Sequence, residues 1–289
     1  MRYLVTGGAG FLGSNLCDYL IGRGDQVLCV DNYITGSINN VKHLLSHINF
    51  SWLEWDVTKY LDVQRLDGIF HLASPASPYQ CNKNGVETLL ANTLGTLNML
   101  KLANLREVPI LFTTTTKVKD ISGLVSDKFY VYGKMTGELL CNEFMDKFSL
   151  EVKIARMGNI YGHGMSADDS RVVPTFIRKA KNGESILVYA NGEQLDSFCY
   201  VDDIVEALVL FMDSDKCCTY EFGSDEVIKI SYLAELIVET FNSKSIIIFD
   251  NTKKVSNRYL PDISSALRDF NWSPKISLSC GLTNMMRCS

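Results

Sequence analysis

The chain has 289 residues, 46% of them hydrophobic and 21% charged, with a formal net charge of −5. That length implies one large domain or two intimate ones, and six prolines with twenty glycines are too few for a collagenous or broadly disordered chain. With 33 carboxylates against 28 Lys and Arg, and no apolar run of the ~18 residues a membrane helix needs, neither a nucleic-acid groove nor a membrane span is expected.

In chain order, short apolar runs alternate with helical patterns. Strands are expected at 2–6, 26–30, 49–54, 68–73, 109–114 and 152–156, with amphipathic stretches near 11–23, 38–47, 86–106 and 130–148 between them. Regular strand–helix alternation is the pattern of an α/β fold, a parallel sheet covered by helices on both faces. Beyond Gly158 the rhythm loosens. Loops at Gly162-His163-Gly164 and Ala190-Asn191-Gly192-Glu193 separate shorter elements, with helices expected near 172–182, 202–213 and 231–242 and a strand at 246–249. The expected division is 1–160 as a nucleotide-binding domain and 161–289 as a smaller lobe over the sheet's carboxyl edge, where such folds bind ligands.

Nine cysteines show no C-x-x-C pair, and Cys17 and Cys29 fall inside an expected helix and strand. They read as reduced, mostly buried thiols of a cytoplasmic chain. His43 and His47 share a helical face but lack a third ligand, so no metal is expected.

Residues Thr6-Gly7-Gly8-Ala9-Gly10-Phe11-Leu12-Gly13 follow a strand and open a helix, with the spacing Gly7-x-x-Gly10-x-x-Gly13. Glycines there allow a tight turn, let backbone approach a pyrophosphate, and let helix and strand pack closely; the helix start at Phe11 and Leu12 offers N–H groups to the phosphates. Asp31 follows 18 positions after Gly13, closing the second strand beside Asn32. A carboxylate there accepts from adenosine ribose hydroxyls and repels a 2′-phosphate, so NAD is expected rather than NADP in a Rossmann-type, doubly wound sheet. Asp56-Val57 can similarly reach the adenine, although a surface Asp in a turn is an alternative for Asp56.

Together with Tyr130-x-x-x-Lys134 on a later helix, these motifs resemble the extended short-chain dehydrogenase/reductase superfamily. His71-Leu72-Ala73-Ser74-Pro75-Ala76-Ser77-Pro78, Asn92-Thr93-x-Gly95-Thr96-x-Asn98-Met99-Leu100 and Ser170-Arg171-Val172-Val173 resemble its UDP-glucuronate decarboxylase branch. The resemblance spans nearly the whole chain. It implies a retained NAD, oxidation of a sugar C4 hydroxyl, chemistry on the resulting ketone, and return of the hydride. Tyr130 is then the base, Lys134 one helical turn away favours its phenolate, and Thr115 binds the C4 oxygen. In the run Thr113-Thr114-Thr115-Thr116, counting back from Val118 selects Thr115 over its neighbours. Leu72, Ala73 and Ser74 are implied to line the coenzyme. Ser77, Asn159, Arg171, Tyr189 and Arg258 are implied to contact the UDP-sugar. A homodimer through a four-helix bundle built from 86–106 and 130–148 is also implied.

The chain departs from that branch at two charged positions, Lys117 where relatives carry Glu and Asp196 where they carry Arg. One expectation is that the two face each other across the sugar as an ion pair of reversed sign. The opposing electrostatic argument is that a cation on the carboxylate stabilises the ground state and leaves C4 epimerisation. The Thr115–Tyr130 interval is also short, and Lys119-Asp120 replaces the branch's Tyr-Gly. A 4,6-dehydratase is disfavoured because Thr116-Lys117 stands where those enzymes use an Asp-Glu pair. The leading expectation is conversion of UDP-glucuronate to UDP-xylose. A UDP-sugar 4-epimerase and a non-catalytic NAD/UDP-sugar binder are the alternatives.

Overall fold

The computed structural model describes residues 1–119, 128–166, 168–252 and 259–287. Its centre is a seven-stranded, all-parallel sheet built from β1 (Arg2–Thr6), β2 (Gln26–Asp31), β3 (Phe50–Glu54), β4 (Gly68–His71), β5 (Ile110–Thr115), β6 (Val152–Met157) and β10 (Thr219–Phe222), in the order β10-β6-β5-β4-β1-β2-β3. Helices α1 (Phe11–Gly22), α2 (Pro78–Lys83), α3 (Gly85–Leu90), α4 (Thr96–Arg106) and α5 (Lys128–Phe148) lie in the first part of the chain. The remainder adds β7 (Asn159–Tyr161), α6 (Val172–Asn182), β8 (Ile186–Tyr189), β9 (Leu195–Tyr200), α7 (Val201–Asp213), β11 (Val227–Lys229), α8 (Ile230–Thr240), β12 (Ile247–Asp250), α9 (Ser264–Phe270) and α10 (Leu278–Arg287). Strands β11-β9-β7 and β12-β8 form two small additional sheets. The outermost strand of the central sheet, β10, comes from beyond residue 160.

The period of two along each strand divides the core. Leu4, Ile69, Ile110, Phe112 and Ile154 face one side, packed with Met99 and Leu100 of α4 and Cys141 and Phe144 of α5. Tyr3, Val5, Phe70, Leu111 and Ala155 face the other, packed with Leu16 and Leu20 of α1 and Ile204 and Leu208 of α7. A strand apolar on both faces reads as a continuous apolar run, which is why the parallel strands stood out in the sequence. The six strands expected over the first 160 residues form as β1 to β6, and two of the helical stretches differ locally. The stretch expected as a helix at 38–47 is a 3₁₀ segment, Ile38–Leu44. Only Val41 and Leu44 are buried there, and a spacing of three suits the tighter helix.

The stretch expected as one helix over 86–106 is broken at Ala91–Gly95 into a π-turn between α3 and α4. There the Asn92 side chain donates to the Thr88 carbonyl at 2.8 Å, and Gly133 and Gly137 of α5 pack closely against Asn92. Strands β7, β9, β10 and β11 and helices α2, α9 and α10 were not anticipated. They are short, and their burial is set by partners distant in sequence. No helix among the described residues is long and apolar enough to cross a membrane. No group of three or more His, Cys, Asp or Glu side chains among them is placed to hold a metal ion.

Candidate active site

β1 has β2 on one side and β4 on the other, so the strand order reverses between β1 and β4 and opens a crevice at the carboxyl edge. A cavity of about 750 Å³ occupies it. One end is lined by Gly7, Gly10, Phe11, Leu12 and Gly13, by Asp31 and Asn32, and by Asp56 and Val57; Leu72, Ala73 and Ser74 form an adjoining wall. The same cavity is also lined by Ser77, Thr115, Lys117, Tyr130, Lys134, Asn159, Arg171 and Tyr189.

The glycine turn fits a dinucleotide because the backbone itself is the surface. Gly7 has φ +69°, and a Cβ there would stand 2.9 Å from the Ala73 backbone; a Cβ at Gly13 would stand 2.1 Å from the Gly7 carbonyl oxygen. Helix α1 begins at Gly10 without a side-chain cap, which leaves its first N–H groups and positive dipole end open to an anion. Asp31 accepts from the Ala9 N–H at 3.0 Å and the Tyr33 N–H at 2.8 Å. Burial raises its pKa, opposed by those backbone N–H bonds. Each carboxylate oxygen retains a lone pair for a ribose hydroxyl. Asn98 of α4 donates to the Val57 carbonyl at 2.9 Å and fixes the segment next to Asp56. Asp56 in turn accepts from Thr58 N–H and hydroxyl, as a turn residue does.

The wall at Ala73 and Ser74 is tied down by a relay the sequence did not disclose. The Ala73 N–H donates to Thr6 Oγ1 (3.3 Å), Thr6 donates to His71 Nδ1 (2.7 Å), His71 Nε2 donates to Thr96 Oγ1 (3.1 Å), and Thr96 donates to the Asn92 carbonyl (2.8 Å). The commitments at both ends assign the Nε2–H tautomer. Burial, and then the Lys134 charge, push the His71 pKa down to about 3, so the ring is neutral. Asn92 also donates to Ser74 Oγ at 2.8 Å. The signal in the sequence was Asn92 and Thr96 at i, i+4 and His71 ending a strand, but nothing in a linear reading joins them.

At the reactive end, α5 carries Tyr130 and Lys134 on one face, while Tyr132 is exposed. The Lys134 ammonium lies 5.9 Å from the Tyr130 ring centre and 4.7 Å from that of Phe112, and donates to the Thr113 carbonyl at 2.6 Å. Burial pushes its pKa down to about 7. Arg156 of β6 forks onto Glu138 of α5 at 3.0 and 2.5 Å, which holds the helix against the sheet. Thr113, Thr114 and Thr115 all line the cavity. Thr113 donates to the His71 carbonyl, and Thr115 Oγ1 accepts the Lys117 N–H at 3.3 Å, which leaves its own proton to give.

The substrate-side expectations divide. Ser77, Lys117, Asn159, Arg171 and Tyr189 line the cavity, whereas Arg258 lies outside the described residues. Asp196 is a correction: it is 1% exposed and does not reach the cavity wall. Its Oδ1 accepts from Asn159 Nδ2 at 2.6 Å and from the Ser197 N–H at 3.0 Å. Asp196 and Lys117 form no ion pair with each other among the described residues, because β9 turns Asp196 inward behind Asn159. Arg171 is gripped by Asp169, with contacts of 2.6 to 3.1 Å, and its guanidinium lies 5.7 Å from the Phe11 ring centre, next to the start of α1.

The family model described as "NAD dependent epimerase/dehydratase family" matches residues 3–221. UDP-glucuronic acid decarboxylase 1 of Arabidopsis thaliana is 38% identical over 301 aligned positions, covering 99% of this chain and 69% of its own. UDP-glucuronic acid decarboxylase 1 of Danio rerio is also 38% identical, covering 99% and 72%. Among solved structures, the UDP-glucuronic acid 4-epimerase of Bacillus cereus superposes with a TM-score of 0.87 at 23% identity, covering 99% of this chain and 98% of that one, a likeness of fold. With the glycine turn, Asp31 and the Tyr130–Lys134 pair opening on one cavity and a match of this extent, the chain belongs to the NAD dependent epimerase/dehydratase family.

Proposed function

We propose that the protein is an NAD-dependent enzyme that decarboxylates UDP-glucuronate to UDP-xylose through a C4-keto intermediate. The observation that carries this reading is the meeting of Tyr130, Lys134 and Thr115 with the glycine turn in one cavity, in a chain 38% identical over its length to UDP-glucuronic acid decarboxylases. When bound, NAD takes the hydride from C4 and later gives it back. Gly7, Gly10, Phe11, Leu12 and Gly13 hold its pyrophosphate, Asp31 and Asn32 its adenosine ribose, Asp56 and Val57 its adenine, and Leu72, Ala73 and Ser74 its outer flank. The lean of Arg171 on Phe11 supports a contact with the coenzyme pyrophosphate, more than with the sugar nucleotide.

Tyr130 removes the C4 hydroxyl proton. An unperturbed Tyr with a pKa of about 10 is a weak base at neutral pH, and the nearby Lys134 charge favours its phenolate. Thr115 donates to the C4 oxygen and orients it. Ser77, Asn159 and Tyr189 bind the sugar nucleotide, with Asp196 holding the Asn159 amide. The ketone formed at C4 makes the C5 carboxylate a β-keto acid, which loses CO₂ readily.

A second reading is C4 epimerisation of the same uronate. Lys117 favours it, because a cation on the wall stabilises a carboxylate more than a transition state in which that charge is leaving. Incubation with UDP-glucuronate, followed by CO₂ release and product NMR, separates the two. A pentose product supports decarboxylation, a galacturonate product supports epimerisation, and bound NAD with neither product supports a binder. A Tyr130→Phe variant is expected to lose about 10²- to 10⁴-fold in turnover, and full activity in that variant rejects the assigned base.

Residues 1–160 serve the coenzyme and 161–289 the sugar nucleotide in this reading. It also includes a homodimer through a four-helix bundle, supported by the exposed Val86, Leu90, Leu94, Tyr132 and Leu139 on α3, the π-turn and α5. The buried free thiols Cys17, Cys29, Cys81, Cys141 and Cys199 support a reducing, cytoplasm-like compartment.

A further inference from the structure

We propose that Lys119 and Glu221 form a positioning latch that sets Thr115 against Tyr130 for the oxidation at C4. The inference rests on the step shared by both readings of the function, in which Tyr130 takes the C4 hydroxyl proton and Thr115 donates to the C4 oxygen. Lys119 and Glu221 stand outside the residues that line the cavity, so what they contribute to the chemistry passes through other groups.

Glu221 is only 7% exposed and belongs to β10, the outermost strand of the central sheet. A buried carboxylate costs stability unless its partners are well placed, and this one gathers segments distant in the sequence. Its Oε1 pairs with the Lys119 ammonium. Its Oε2 accepts the Asp262 N–H at 2.8 Å. Lys119 also donates to the Tyr259 hydroxyl at 2.9 Å, and its ammonium lies 4.7 Å from the centre of that ring. One residue before Asp262, Pro261 packs onto the strand ends. A Cβ at Gly223 would stand 2.5 Å from its Cγ, and a Cβ at Gly158, which lines the cavity, 3.1 Å.

The latch fastens the turn that follows Thr115. Lys119 closes the 3₁₀ turn Thr116–Lys119, directly after β5. Within it the Lys117 N–H donates to Thr115 Oγ1 at 3.3 Å. In the order β10-β6-β5 the strand β6 stands between, so the Lys119–Glu221 pair spans β6 and ties the far end of the turn to a strand two places away. A short turn pinned at both ends cannot swing about its join to the strand. The base is held from the same platform. Arg156 is the register neighbour of Glu221 on β6, and its fork onto Glu138 fixes α5 one turn beyond Lys134. Arg156 and Glu221, side by side on adjacent strands, thus pin the two elements that carry Tyr130 and Thr115. Such support matters because a misplacement of about 1 Å can cost about 10²-fold in rate.

The test is consumption of UDP-glucuronate by the NAD-loaded protein, whichever product forms, with kcat and KM measured at a temperature where melting curves show each variant folded. Lys119→Met and Glu221→Gln are each expected to lower kcat about tenfold or more while KM stays within about threefold. The double variant is expected to be no slower than the slower single one, since both remove one interaction. It leaves no buried charge unpaired, so it carries the test if a single variant does not fold. On a Thr115→Val background, Lys119→Met is expected to cost less than about threefold further, because the group it positions is gone. An unchanged kcat in the folded variants, a raised KM alone, or a full further tenfold loss on the Thr115→Val background each overturns the latch and leaves the C4 oxidation in place. A wild type that consumes no UDP-glucuronate removes that oxidation and the latch together.

Discussion

The Lys134 ammonium on α5 donates to the Thr113 carbonyl on β5 at 2.6 Å, at a position where the lysine is only 3% exposed. A charge placed there costs stability, and in the proposed mechanism it is kept for what it does to Tyr130.

The cost can be measured. Burial lowers the Lys134 pKa from 10.5 to about 7 in the folded chain. Between about pH 7 and 10.5 the unfolded chain therefore holds a proton the folded chain lacks, and stability rises with pH across that window. Below it both states are charged and the penalty is constant. The coenzyme-free Lys134→Met variant is expected to be more stable than wild type at pH 7, by a few kcal/mol, with the gap closing toward pH 10. Urea melts at several pH values check this, and a destabilised variant at pH 7 contradicts it.

His71 acts in the same sense on the acid side. Its pKa falls from 6.5 to about 3 on folding, so the unfolded chain binds a proton first as pH drops, and stability is lost from about pH 6.5 downward. His71→Phe keeps an aromatic ring against Phe112 but leaves the Thr6 hydroxyl without its acceptor. At pH 7 it is expected to cost about 1–3 kcal/mol, and the difference from wild type is expected to shrink toward pH 4. Parallel melting curves at the two pH values that keep the same spacing count against the neutral relay.

Gly13→Ala tests the cradle directly. The added methyl would meet the Gly7 carbonyl oxygen at 2.1 Å, and backbone must move to admit it. Loss of co-purifying NAD by at least about tenfold, measured by absorbance after acid release, is the expected result. A variant that retains wild-type NAD content shows that the turn is not the pyrophosphate site.

In the proposed homodimer the exposed apolar side chains of α5 lie in the interface. Leu139 is 69% exposed. Replacing it with Glu would place a charge in a bundle interface, and light scattering is expected to show a shift from dimer to monomer with the far-UV spectrum unchanged. A wild type that is monomeric at micromolar concentration ends this expectation.

Much of the site was legible because its chemistry is local. The glycine spacing, Asp31 at the end of β2, and Tyr130 and Lys134 one turn apart all lie within a few residues of the backbone feature that places them. The reversed-sign pair of Lys117 and Asp196 was misread for the complementary reason. Both charges were visible, but only the inward turn of β9 says that Asp196 serves Asn159 and that, of the two, Lys117 lines the cavity.

The opening facts, a length sufficient for a large core and a mild negative charge, together with strand–helix alternation, determine an α/β chain with a parallel sheet. They do so because apolar periodicity and glycine conformations are properties of short segments. Tertiary structure alone decided the π-turn at Ala91–Gly95, the relay through His71, the lean of Arg171 on Phe11, and the return of β10 to the sheet. Each joins groups far apart in the chain, and which of them meet depends on packing that no local pattern encodes.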